Sequence, residues 1–503
     1  MTALDPRTPV LVGAAQLTHR PADGPPPAPH LLMTDAARAA IADCAASIGA
    51  DALLDKVEVA ASIDLFSWPV PDPAAVMAQE LGISPRATVR TARGGNGPIA
   101  LLGDLSSRIA AGDLDVALIS FGESFKPFMA AVRGGTSTGW PEQGEDVTPT
   151  WSVGADKEPS NAAETAAGLL APVFYYPFFE HALRAAAGRT REEQRAHAAR
   201  IWARFAQVAR ENPYAWSPDA PTDPDVLGTP SADNRLVSDP YPKLLNANIS
   251  VDQAAALVLT SAEAAAAAGI PRERWVVVHA TAGAADHWFV SERWQLDRSP
   301  AIAANGRAAL GHAGIAIDDA AHLDLYSCFP SAVQIAAGEL GVDLFDPSRA
   351  PTVTGGLTFA GGPANGYVLH ALATLVDRLR ADPAAFGVST AVGWYLTKHG
   401  LAVLGGPETV PARAFAHHDV QAEVDAQPRR ETTHGAPATA TVETHTALYD
   451  HTGAPTIAFA MGLTPDGRRA VGGSQAPEIV EALTASDPLG VEATFDGAGA
   501  LTL

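Results

Sequence analysis

Cysteine is nearly missing from this chain: Cys44 and Cys328 are the two in 503 residues. They lie in different parts of the sequence, which excludes a disulfide-stapled scaffold, and both read as reduced thiols of a cytoplasmic protein. Positive charge is scarce as well, with Lys+Arg 34 against Asp+Glu 56 and a formal net charge of -22. That balance disfavours nucleic acid or an anionic membrane as a partner. No apolar run approaches the ~20 residues that span a bilayer. Met1-Thr2-Ala3-Leu4-Asp5-Pro6 lacks the basic and apolar regions of a secretory signal. The histidines His417, His418, His434, His445 and His451 lack metal-ligand spacing and are expected at the surface, with no metal.

What the sequence does hold is one block written twice. Ile63-Asp64-Leu65-Phe66-Ser67-Trp68-Pro69 returns as Leu323-Asp324-Leu325-Tyr326-Ser327-Cys328-Phe329-Pro330. Thr88-Val89 leads to Gly94-Gly95-Asn96 and the apolar run Pro98-Ile99-Ala100-Leu101-Leu102. In the same order Thr352-Val353 leads to Gly361-Gly362-Pro363 and Tyr367-Val368-Leu369. The copies stand about 260 residues apart, too far for a solenoid unit, and so indicate a duplicated domain. Duplicated α/β halves share an interface, and a functional site is expected there.

Apolar residues are 47% and charged residues 18%, a globular composition, and the length calls for two or three domains. Strand patterns at Val10–Ala14, Val57–Leu65, Ala87–Thr91 and Asp115–Phe121 alternate with helical ones at 32–48, 73–82 and 98–111. This alternation predicts βαβ units and a largely parallel sheet over residues 1–121, closed by 247–265. Residues 122–246 break the rhythm with a Gly/Ser/Thr-rich loop, an aromatic run and an amphipathic helix near 190–210. Strands at Trp275–His279, Leu323–Tyr326, Pro351–Thr354 and Thr390–Leu396 build a second half over 266–410, with helices near 301–312, 331–340 and 366–380. Residues 411–503 carry alternating strand patterns and one helix at 477–485, a small β-rich domain separate from the core.

Several segments invite a chemical reading. Gly94-Gly95-Asn96-Gly97 opens a helix after a strand, where backbone N–H groups can hold an anion; a plain glycine turn capped by Asn96 is the bland alternative. Gly361-Gly362-Pro363-Ala364-Asn365-Gly366 offers the same two readings, with Asn365 as a further amide. Neither has the spacing of a dinucleotide fingerprint. Gly135-Thr136-Ser137-Thr138-Gly139 matches a nucleophile elbow but lacks the strand and helix that it needs. Arg184, Arg189, Arg191, Arg195, Arg200, Arg204 and Arg210 concentrate positive charge, either a solvated helix face or a phosphate site. Cys44, on an Ala-rich helix, reads as core. Cys328 and His399 each follow a predicted strand of the second half, where a thiol and an imidazole could exchange a proton.

Taken in order, these blocks resemble the thiolase superfamily over about residues 8–405. Leu244–Leu259, with Asn246, Asn248 and Asp252, is similar to the segment that closes the first thiolase half. Cys328-Phe329 stands where sterol-carrier-protein-type thiolases have His-Asp-Cys-Phe. Gly361-Gly362-Pro363 matches the Gly-His-Pro block, and Leu396-Thr397-Lys398-His399-Gly400 falls in the last catalytic loop. The extra C-terminal domain resembles the type-1 thiolase-like proteins. The resemblance implies a duplicated α/β core layered αβαβα, a helical loop insertion and a CoA-thioester acyltransferase of acetyl-CoA acetyltransferase type, acting in lipid metabolism. It implies coenzyme A as ligand, with Arg184, Arg191, Arg195 and Arg200 as phosphate contacts. The C-terminal domain could dock a partner protein. The departures are specific. Gly94 takes the place of the nucleophilic cysteine, Gly362 that of the Gly-His-Pro histidine, and Tyr326 that of the residue opening the second motif. Gly94, Asn96, Gly362 and Asn365 then mark the substrate and oxyanion region, and Cys328, His399 and Tyr326 remain for catalysis. The alternatives are an acid/base C–C lyase on a β-hydroxy or β-keto acyl thioester, or a non-catalytic acyl-CoA-binding protein. Arg86, Arg90 and Arg93 lie on the strand that pairs across the thiolase dimer, so a monomer or a weak, salt-sensitive homodimer is expected.

Overall fold

The computed structural model describes residues 4–503. The strands of the first half are β1 (Pro9–Thr18), β2 (Val59–Ser62), β3 (Ala87–Thr91) and β4 (Val116–Ser124). The insertion adds β5 (Trp151–Val153), β6 (Leu236–Ser238) and β7 (Tyr241–Pro242), and β8 (Asp252–Ser261) completes the half. The second half holds β9 (Val276–Ala285), β10 (Ala320–Asp324), β11 (Phe386–Gly393) and β12 (Lys398–Gly405).

The duplication is visible in the sheet. In the first half β2 runs parallel to β4, β4 antiparallel to β8, and β8 antiparallel to β1. In the second, β10 runs parallel to β11, β11 antiparallel to β12, and β12 antiparallel to β9. Asp64 follows β2 and Asp324 ends β10, so the repeated motif occupies equivalent strands. Val10 and Leu11 pair with Val277 and Val276, which joins the halves into one sheet of 11 strands. The expected parallel character is corrected to a mixed sheet. Only four residues separate β11 from β12, far short of a parallel crossover, so the strands must run antiparallel. Pro351–Thr354, read as a strand, forms none.

Every residue of β8 is buried, as fits a strand covered on both faces. Helices Gly97–Ala111 and Tyr367–Ala381 touch strands of both halves and form the layer between them. The first starts with Pro98 and ends at Gly112 in the left-handed region, the usual punctuation of a helix. Their N-terminal ends bring the segments at 94–96 and 361–366 to the junction of the halves.

The C-terminal region holds β13 (Ala416–Asp419), β14 (Ala438–Tyr449), β15 (Pro455–Leu463), β16 (Arg469–Ser474), β17 (Glu492–Phe495) and β18 (Leu501–Thr502). It is less separate than its composition suggests. β13 pairs with β9 of the core, and β6 of the insertion pairs with β14 in a second sheet of seven strands. The aromatic run lies in helix Pro172–Ala187, where Phe174 stacks on Phe459 at 5.4 Å.

Candidate functional site

Two glycines clear a chamber at the start of helix Gly97–Ala111. Gly94 has φ +135°, and a Cβ there would lie 2.9 Å from Lys398 Cε and 3.0 Å from Nζ. A Cβ on Gly393 would lie 2.5 Å from Asn96 Oδ1 and 3.0 Å from Lys398 Cε. Glycine at both positions is therefore required by space and, at Gly94, also by backbone conformation. Lys398 enters from the first position of β12. Its ammonium donates to the carbonyls of Arg93 and Ala155. Desolvation by burial lowers its pKa to about 8; Asp156 and Asp64 oppose that shift and Arg93 assists it. Asn96, read as a cap, makes no side-chain capping bond, and its buried Oδ1 has no partner.

The chamber opens into a cavity of about 500 Å³ where the two halves, the insertion and the first part of the C-terminal region meet. Ala282, Ala284 and Ala285 of β9 form an apolar wall, Trp288 an aromatic one, and Lys157 and Arg429 bring positive charge beside the carboxylates of Glu292 and Asp425. The Lys157 ammonium lies 5.0 Å from the Trp288 ring centroid.

The residues expected to be catalytic are placed differently. His399 follows Lys398 on β12 and, like its partner Asp286, also lines that cavity. Its Nε2 lies 3.1 Å from Asp286 Oδ2 and 3.1 Å from the Leu396 carbonyl. Asp286 also accepts from Ser299 Oγ and the Ala301 amide. Although burial acts to raise it, the Asp286 carboxyl is held below its ordinary range, chiefly by His399. Cys328 is buried beside Tyr176 and Tyr326, and desolvation pushes its thiol up to about 12. Burial likewise raises Tyr326, whose hydroxyl lies where a side chain on Gly95 would fall. The expected thiol–imidazole pair is corrected: Cys328 lies among tyrosines, His399 is held by Asp286, and no hydrogen bond joins the two among the described residues.

Asn365 ties the halves together. Its Oδ1 accepts from the Gly94 amide at 3.0 Å, while Nδ2 donates to the Asp64 carbonyl and carboxylate. Gly362 donates to the Asn248 carbonyl at 2.9 Å, and a side chain there would press on Asn248 and Leu357.

The arginine reading is corrected too. Arg184 forms a two-pronged ion pair with Asp487, and Arg191 donates to the carbonyls of Thr484, Leu483 and Ser486. Both fasten the C-terminal domain to the insertion, and neither lines the cleft cavity. The Arg200 guanidinium stacks 4.5 Å over Phe345, and Arg195 sits half-buried on the same helix. Nor is His445 at the surface: it is fully buried and stacks on His181 at 4.0 Å. With Asp239 these two bring one potential ligand atom each within 4.8 Å of the others. Arg184 donates to His181 Nδ1 and Arg191 lies 3.4 Å from His445 Nε2. The atoms that face one another, His181 Nε2, His445 Nδ1 and Asp239 Oδ2, are buried without hydrogen-bond partners, and the two guanidinium groups stand beside them.

Lys398 was legible only as one letter of Leu396-Thr397-Lys398-His399-Gly400, because nothing in sequence spacing brings it against Gly94. Lys157, Trp288 and Arg429 carried no motif at all.

A family model for the thiolase-like protein type 1 additional C-terminal domain matches residues 419–497. A monomeric SCP2-thiolase-like protein type 1 from Mycobacterium smegmatis is 31% identical, with 100% of both chains covered and a TM-score of 0.85. The Ltp2-ChsH2(DUF35) aldolase (18% identity, 80% of this chain and 99% of that one, TM-score 0.60) shares the fold. So does an acetyl-CoA acetyltransferase from Syntrophomonas wolfei (15%, 80% and 99%, TM-score 0.56). No curated protein sequence matches the chain.

Proposed function

The chain belongs to the type 1 SCP2-thiolase-like proteins, and from that premise we propose that it binds an acyl-CoA-type thioester between its halves without thiolytic acyl transfer. The cavity of about 500 Å³ at that junction carries the reading. Lys157 and Arg429 supply cations for phosphate groups in a chain of net charge -22, and the alanines of β9 and Trp288 supply apolar contact for the rest of the ligand. These two cations replace Arg184 and Arg191 as the phosphate contacts. Thiolytic chemistry needs a thiolate that can take up the acyl group. Gly94 offers none, Gly362 offers no imidazole to activate one, and Cys328 stays protonated at neutral pH. The acid/base lyase built on Cys328 and His399 loses its support with their separation.

Calorimetric titration with coenzyme A and an acyl-CoA tests the binding. The Lys157→Glu/Arg429→Glu double variant is expected to weaken it by at least about tenfold, or about 1.4 kcal/mol. Acetoacetyl-CoA with coenzyme A is expected to yield no acetyl-CoA and no acyl group retained after acid quenching. Absence of binding at millimolar ligand would sink the cleft reading, and retained acyl groups would sink the exclusion of acyl transfer.

A further inference from the structure

Lys398 has the setting of a reactive amine. It is buried, yet no carboxylate pairs with it: Asp64 instead faces Arg90 at 3.7 Å and Arg93 at 3.4 Å. Its ammonium is held by two backbone carbonyls, and the Trp288 and Trp394 rings lie 5.9 and 5.8 Å away. It sits beside the N-terminus of helix Gly97–Ala111, where the helix dipole disfavours a cation. These features favour the neutral amine, in keeping with a pKa lowered by desolvation to about 8. Asn96 supplies the second observation. Its Oδ1 is a buried acceptor without a donor, at the wall of the same cavity, and lies next to the same glycine-cleared space. A buried acceptor left without a donor is costly, so its retention beside the amine points to a donor that arrives with a ligand.

We propose that Lys398 captures a ketone or aldehyde carbonyl on the acyl chain of the bound thioester as an imine, a step that rests on the cleft-binding reading above. The amine lone pair attacks the carbonyl carbon and a C–N bond forms. The π pair moves to oxygen, which takes up the proton that nitrogen releases. The hydroxyl of the resulting carbinolamine donates to Asn96 Oδ1. A further proton from solvent lets that oxygen leave as water, the nitrogen lone pair closes the C=N bond, and the proton left on the iminium nitrogen returns to solvent. Nothing is oxidised or reduced, and water is the by-product. The imine would make the carbons flanking it more acidic.

The full-length chain is incubated with acetoacetyl-CoA and sodium cyanoborohydride near pH 8, then analysed by intact mass and peptide mapping. Hydride transfer converts the imine to a stable secondary amine, so the protein gains the mass of the thioester less one oxygen. One equivalent on the peptide holding Lys398 is the expected result, with at least a tenfold lower yield from acetyl-CoA, which has no keto group. Lys398→Arg keeps the cation and is expected to abolish the label while calorimetry still detects coenzyme A. If Lys398→Arg does not fold, the peptide map of the unaltered chain decides alone. Calorimetric binding without a label, or a label spread over other lysines, would overturn the imine and leave the binding reading standing. Neither binding nor label overturns both.

Discussion

Asp64 and Asp324 close equivalent strands, and their surroundings have diverged into opposite solutions for a buried carboxyl group. Asp64 faces the guanidinium groups of Arg90 and Arg93. Asp324 has no cation and accepts from the hydroxyls of Thr352, Thr354 and Tyr367 and the amide of Val353. Burial pushes Asp324 up to about 6, with those hydrogen bonds pulling the other way. An acid whose pKa rises on folding keeps its proton in the native state while the unfolded chain has already lost it. Between pH 4 and 6 the native state therefore binds more protons, and stability falls as pH rises. The loss attributable to Asp324 is about 3 kcal/mol, at about 1.4 kcal/mol per pKa unit. Urea melts at pH 4, 5, 6 and 7 are expected to show this slope in the unaltered chain and a flatter one in Asp324→Asn. Equal slopes would mean that the hydroxyl cage keeps the carboxyl near its ordinary range. The same residue scale explains why the site was only half legible. Gly94 and Asn96 stand out because glycine and asparagine before an apolar helix have few physical meanings. Lys398 does not, because its meaning comes from a contact across 304 positions of chain.

Strand β5 is three residues long and carries no sequence signal, yet it covers the outer edge of β3. The Ala92 amide donates to the Val153 carbonyl, the Thr150 amide to the Thr88 carbonyl, and the Thr88 amide to Thr150 Oγ1. Trp151 is held by Asp104, and Arg108 stacks over its ring at 4.2 Å. An edge already paired cannot pair with a second copy. The arginines expected to repel that copy are used inside the chain, Arg86 with Glu58, and Arg90 and Arg93 with Asp64. The chain is accordingly expected to sediment as a monomer at both low and high salt, the first of the two states anticipated from its charges. Thr150→Pro removes the amide and the side-chain acceptor together and is expected to produce concentration-dependent association; a variant that stays monomeric would show that β5 is not what protects the edge. Long elements with strong periodicity were readable. Helix Pro477–Ala485 and strand Ala438–Tyr449 fall within a residue of their patterns. Elements defined by pairing alone, such as β5, β6 and β13, were not, because a three- or four-residue strand exists only through its neighbour.

At the scale of the whole molecule, the C-terminal domain is fastened to the rest by buried polar contacts. Arg469 is fully buried, pairs with Glu443, and donates to the carbonyls of Ser291 and Arg293 in the second half. Thr444 Oγ1 donates to the Phe178 carbonyl at 2.8 Å. Removing Arg469 empties a fully buried site and leaves the carbonyls of Ser291 and Arg293 and the carboxylate of Glu443, which is 23% exposed, without their partner. Arg469→Ala is expected to lower the melting temperature and split the thermal transition, with the C-terminal domain releasing first. A single unshifted calorimetric peak would mean that the contact contributes little. The shared sheet also has a consequence in time. Ser238 pairs with Leu448, and the Asp239 amide donates to the Ala447 carbonyl, so the insertion finds its partner strand about 200 residues further along. A ribosome would deliver both halves of the core before that strand exists. The nascent chain carries the insertion without its partner strand, and with the Phe174–Phe459 stack unmade, until residues 438–463 are synthesised.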